Sequence, residues 1–295
     1  MKNIKGIAFS VSIVIILTIV TIFSIQQGKS QATSTEDLES KVHAELEYLD
    51  NKLLSMMNGL NNILLRNYVV SSFEIGESTE ESDNETSGVT KNSDQTQIEA
   101  DSSSTDNETK TSIHQLNTVG ILTSNKDSNW ESLKAEIEIL YSSWNTIILD
   151  LYKLNINSED ILQFSTVLDR ATLSIREENK QDSLAALSDL YSYIPVYLQS
   201  YSTNDKEINI QRTKANVMKA YSVVDSENWN EVTVQITNAE TSYLNVLNGN
   251  TKEDDYDINK GYILLKELQN SVNEKDNDIF YIKYKNLIEK LNNLV

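Results

Sequence analysis

The chain has 295 residues, with one proline, eight glycines, no cysteine and a formal charge of −19 at pH 7. So few helix breakers argue for long helices and against a turn-rich β fold. The missing cysteine excludes disulfides, thiolate metal sites and thiol catalysis, and the negative charge disfavours nucleic acid and anionic lipid headgroups as partners.

Lys2 and Lys5 precede an uncharged run from Ile7 to Ile25, "IAFSVSIVIILTIVTIFSI". At about 1.5 Å per residue this run reaches about 28 Å, the thickness of a bilayer core. It is longer than the apolar part of a signal peptide, usually about 7–15 residues. The reading is therefore a transmembrane anchor over 7–25 behind a basic cytoplasmic start over 1–6. The rest of the chain is then expected outside the cell membrane. The alternative is a secreted protein, cleaved after the small residues of Ser30-Gln31-Ala32.

An amphipathic heptad helix is expected over 34–73. Ser34 or Thr35 can cap it, and Val42, Leu46, Leu49, Leu53, Met56, Leu60 and Ile63 alternate spacings of four and three. Leu38, Leu54, Met57 and Leu64 widen the stripe, which favours a bundle core. Self-association, or docking of a protein partner, through the 42–63 seam is the alternative.

The periodicity stops near Phe73. Residues 74–112 hold eleven acidic side chains, two lysines and fifteen Ser or Thr, with only Ile75, Val89, Ile98 and Ala100 aliphatic. Such a composition buries too little apolar area to offset chain entropy, and predicts a disordered acidic linker. Asn84 and Asn107 each open an "NET" sequon.

From residue 113 to 295 the helical period returns, predicting a helical bundle domain. One helix carries Trp130, Leu133, Ile137, Leu140, Trp144, Ile147, Leu151 and Leu154. A second, capped by Ser158, carries Ile161, Phe164, Leu168, Ala171 and Ile175. A third starts near Asp182, and Pro195 is expected to kink it or mark its last turns. A fourth spans Asp205 to Val224. Ser226 is expected to cap a fifth, with Trp229, Val232, Ile236, Ala239, Tyr243 and Val246. Two more carry Tyr262, Leu265 and Leu268, then Phe280, Tyr284, Leu287, Leu291 and Leu294.

"NWESLKAEIEILYSSWNTI" from Asn129 recurs as "NWNEVTVQITNAETSYLNV" from Asn228. Every matched apolar position is a seam position, which points to successive αα-hairpins with a repeated start. The fold class is thus all-α: a membrane helix, a long amphipathic helix, an acidic linker and a multi-helix antiparallel bundle of αα-hairpins.

No motif names a catalytic, cofactor or metal residue. "DDYDINKGYILLKE" places Asp255, Asp257 and Asn259 at EF-hand spacing, but Lys260 stands where the glycine belongs and Lys266 where the closing glutamate belongs, with Gly261 and Glu267 one place late. His43 and His114 lie in no metal-binding pattern. Glu177-Glu178 and Glu253-Asp254-Asp255 read as solvated acidic pairs. The three tryptophans sit at core spacing; lining a groove for a glycan or peptide is the alternative.

The layout resembles exported helical proteins of low-GC Gram-positive spore-formers, a group without assigned activity. The features shared are the basic start with one apolar segment, "LDNKLLSMMNGLNNI" (Leu49 to Ile63), the "NW" helices, and "DRATLSIREENKQDSLAALSDLYSYIP" (Asp169 to Pro195). The resemblance implies an exported, anchored helical protein. The expected function is a membrane-tethered extracytoplasmic binding or scaffold module without catalysis. A sensory or regulatory ectodomain acting through a partner membrane protein is the runner-up, and a cell-envelope enzyme the minor alternative.

Overall fold

The computed structural model describes residues 35–63, 65, 121–122, 127–249 and 256–295. The expected anchor (7–25), the cleavage site, the acidic linker (74–112), both sequons, His114 and Asp255 lie outside them. The described residues form nine helices: α1 (Thr35–Leu60), α2 (Trp130–Lys153), α3 (Ser158–Arg176), α4 (Lys180–Tyr191), α5 (Tyr193–Tyr201), α6 (Asp205–Ser222), α7 (Trp229–Gly249), α8 (Tyr256–Ser271) and α9 (Asn277–Asn292). None of these helices is long and apolar enough to cross a membrane.

The helices close into two four-helix units. In the first, α1 packs on α2, α2 on α3, α3 on α4, and α4 returns to α1. In the second, α6 packs on α7, α7 on α8, α8 on α9, and α9 returns to α6. The short α5 lies between them, and α4 and α5 both pack on α6. The repeated sequence is the trace of this arrangement. Trp130 opens α2 and Trp229 opens α7, and at nearly the same interval α3 and α8, then α4 and α9, begin.

The repeat has a local cause at its first two residues. The Asn129 side chain accepts from the Ser132 amide at 3.2 Å, and Asn228 accepts from the Glu231 amide at 3.3 Å. Each asparagine thereby satisfies a free helix N–H, and the tryptophan behind it occupies the first helical position. Leu133, Ile137, Leu140, Trp144 and Ile147 are buried, as are Val232, Ile236, Ala239, Tyr243 and Val246. Trp144 stacks on Phe164 at 4.0 Å and donates its Nε1–H to Ser165 at 2.8 Å. Its counterpart Tyr243 donates to the Ile258 carbonyl at 2.7 Å. That hydroxyl comes so close to α8 that a Cβ on Gly261 would meet it at 2.1 Å. Close approach of a neighbouring ring, not backbone freedom, requires glycine there.

Several boundaries differ from expectation. Helix α3 is capped by Asn157, which accepts from Glu159 N, and not by Ser158. Ser226 donates its hydroxyl to the Val223 carbonyl and leaves the α7 cap to Asn228. The expected third helix is two, α4 and α5, separated at Ser192 three residues before Pro195. A proline cannot donate to the carbonyl four residues back and clashes with it, so the break falls just upstream. The expected helix over 34–73 ends at Leu60. With glycine so scarce, left-handed backbone at helix ends falls to Asn62, Asn155, Glu178, Glu227 and Lys275. At Asn155 the following amide, Ile156 N, bonds back to the Leu151 carbonyl at 3.1 Å, closing the helix end while the Ile156 side chain is buried.

The heptad seam of α1 is consumed inside the fold. Val42, Leu46, Leu49, Leu53, Met56, Leu60 and Ile63 are all buried. Self-association through this seam would need surface the bundle has already covered. The tryptophans also pack inward: Trp144 and Trp229 are buried, and Trp130 is half-buried against the core. A groove lined by the three rings is therefore not formed.

Candidate functional site

Helix α1 carries more than an apolar seam. Asp50, next to Leu49, is buried and points at α4 and α6. Its Oδ1 accepts the Tyr191 hydroxyl; its Oδ2 accepts Gln211 Nε2 at 2.8 Å and Lys214 Nζ. Lys214 is only 1 % exposed, and its ammonium also lies 5.8 Å from the centre of the Tyr191 ring. An isolated charge in such a place costs many kcal/mol. The pair is tolerated because each charge has the other and the carboxylate has three donors.

This group forms the floor of a cleft of about 210 Å³ between α1, α5, α6 and the end of α9, with Asn292 and Val295 also in its lining. Leu46, Ile194 and Leu198 make an apolar wall, and His43, Glu47, Asn51 and Glu207 stand around it. His43 Nε2 lies 3.4 Å from a Glu207 oxygen, with the imidazole half-exposed. A water molecule in liquid takes about 30 Å³, so the cleft holds the equivalent of about seven. Clefts that take drug-sized ligands measure roughly 300–1,000 Å³, so this one is smaller than those.

A second polar network pins the C-terminal end of α1 to α6 and α9. Asn61 Nδ2 donates to the Tyr221 hydroxyl at 2.8 Å, and Tyr221 donates to the Met57 carbonyl at 3.1 Å. Tyr284 donates to Asn58 Oδ1 at 3.0 Å and stacks on Tyr221 at 4.5 Å. Tyr281 donates to Asp225, which pairs with Lys180 at 2.8 Å. Burial pushes the Tyr221, Tyr281 and Tyr284 hydroxyls well above the usual tyrosine range, so they stay protonated donors.

A third cluster joins α1 to α2. Asp150, 2 % exposed, accepts from Lys41 and Lys153, each at 2.6 Å. Burial alone would raise its pKa, but hydrogen bonds from Lys153 and Lys41 outweigh it and hold the carboxyl below its ordinary value. Beside it Glu45 is 1 % exposed, and both its carboxylate oxygens lack a hydrogen-bond partner. Burial, then the charge of Asp150, push Glu45 up to about 7.

Among the described residues no group of His, Asp and Glu is placed to hold a metal ion. Asp257 and Asn259 of the calcium-like motif lie within α8 and not in a loop, and Asp257 pairs with Lys290. Glu178 pairs with Lys134 at 2.7 Å across the surface, and Glu177 lies 3.6 Å from Arg176. Compared with known proteins, the chain matches no family model, no curated protein and no solved structure. The Asp50–Lys214 floor was beyond sequence reasoning, since its members are 164 residues apart. The one available signal was a charged residue inside an apolar stripe.

Proposed function

We propose that this chain is a binding module without catalytic activity, tethered outside the cell membrane through residues 7–25, and that its ligand seats in the cleft between α1, α5 and α6. The observation that carries the reading is the cleft's construction: an apolar wall over a charged floor whose groups already have partners. Asp50 accepts three hydrogen bonds, so it holds and orients Lys214 but has little free capacity to take a proton from a substrate. Such a floor suits recognition better than turnover. The tether rests on the length and charge of the N-terminal run alone.

Purified full-length chain should show a ligand-induced rise in melting temperature with one class from a panel of small amines, amino acids, carboxylates and sugars. Asn51→Trp, at a half-buried position on the cleft, should abolish that rise while leaving the unliganded melt close to wild type. A panel without a single shift, or a shift that survives Asn51→Trp, would remove the cleft as the binding site. The sensory reading gains support from one separate feature, the buried carboxyl of Glu45, whose oxygens take no hydrogen bond. A binding site gives no reason to bury a titratable group on the far contact of the same helix.

A further inference from the structure

We propose that Glu45 and Asp150 share one proton across the α1–α2 contact and act as a pH-operated latch on helix α1. The inference does not rest on the cleft or on its ligand. Four charged groups meet at this contact: Glu45 and Lys41 from α1, Asp150 and Lys153 from α2. Their formal charges balance when all are ionised, so net charge does not decide the matter; hydrogen bonding does. Both lysines reach in from the surface and place their short contacts on Asp150, at 2.6 Å each. Glu45 is left with Lys41 at 3.8 Å and no hydrogen bond to either oxygen.

A buried carboxylate in that position loses its hydration and gains little in return. Protonated, it becomes a donor, and the Asp150 carboxylate, which shares Lys41 with it, is an acceptor beside it. The remaining titratable group on this side is Tyr201 of α5. Its hydroxyl is buried without a partner, and burial, followed by the charges of Glu207, Glu39 and Glu45, raises its pKa. When Glu45 ionises, the available responses are a turn of the Tyr201 hydroxyl toward it or withdrawal of α1 from α2 so that water can enter. Either response changes the packing of α1 and α5, and both helices also wall the cleft.

The direction of the pH effect follows from the raised pKa. Glu45 binds its proton more tightly in the folded chain than in the unfolded one. Its stabilising contribution is complete below the ordinary value of 4.5, declines as pH rises, and is gone above about 7. Asp150 acts oppositely, but its lowered pKa confines that effect to pH below its ordinary value of 3.8.

Urea unfolding of the full-length chain between pH 5 and 8 tests the latch. The wild-type folding constant should drop by roughly 30- to 100-fold more than that of Glu45→Gln, which keeps a donor facing Asp150 at every pH. Hydrogen exchange should show α1 amides losing more protection at pH 8 than those of α7, which lose only what the global folding constant loses. If Glu45→Gln retains the wild-type slope, or α1 and α7 respond alike, the latch is rejected. Should Glu45→Gln fail to fold, the carboxyl carbon resonance of Glu45 in the wild-type chain decides. A midpoint above pH 6 supports the shared proton, and one below pH 5 overturns it.

Discussion

Replacing Lys214 with alanine should cost the fold about 3–5 kcal/mol, measured by urea unfolding, because it strands Asp50 as a buried carboxylate without its cation. Typical domains hold about 5–15 kcal/mol in all, so the variant sits near the edge of folding. Asp50→Ala should cost a similar amount for the mirror reason. The two losses should not add. Removing both charges with apolar residues, as in the pair Asp50→Leu with Lys214→Met, should recover most of the stability, since each single loss is chiefly the penalty of the orphaned partner. Additive losses in the double variant would show that the two groups do not depend on each other. The pair's value then lies in register: it fixes which turn of α1 faces α6, in a contact otherwise made by interchangeable aliphatic side chains.

The second large effect belongs to Trp144. Trp144→Ala removes a buried ring that stacks on Phe164 and lies 6.3 Å from Tyr197, and it leaves the Ser165 hydroxyl without its indole donor. The expected loss is about 3–5 kcal/mol, read by thermal or chemical unfolding. Trp144→Tyr, which places the residue found at the matching position 243, should recover part of it. A melt for Trp144→Ala within a degree or two of wild type would mean that the ring is not part of the core.

How much of this could be read from the chain depends on the kind of force involved. Apolar burial leaves a period in the sequence, and so the inward residues of α2, α3, α7 and α9 were legible one by one, from Leu133 to Leu291. For helix α6 the sequence predicts a span but no seam. Its segment, "DKEINIQRTKANVMKAYS", reads as polar, yet most of it is buried because α6 belongs to the second four-helix unit and is also packed on by α4 and α5. Residues such as Asn209, Thr213 and Lys214 are internal for that reason and carry no local mark of it. The caps were misplaced by one or two residues, because Asn157 competes with Ser158, and Asn228 with Ser226, for the same free amides. Polar contacts between distant segments were the least legible. Asn58, Asn61 and Asp50 interrupt an apolar stripe, and their partners Tyr284, Tyr221 and Lys214 come 160 or more residues later. A single sequence does not encode such a pairing in any periodic way. Glu45 and Lys52, seven positions apart on the flank of the seam, were the one regular hint that the face toward α2 is polar.

Helix α1, far in sequence from the other described helices, is an integral part of the bundle and supplies one wall of its cleft. Amide hydrogen exchange of the full-length chain near pH 5, where the Glu45 proton is in place, tests this most directly. Amides from Leu46 to Leu60 should exchange only through global unfolding, at the same free energy as those in the middle of α6. Exchange of the α1 amides at a markedly lower free energy than α6, under the same conditions, would show a helix that docks loosely, and would contradict the account.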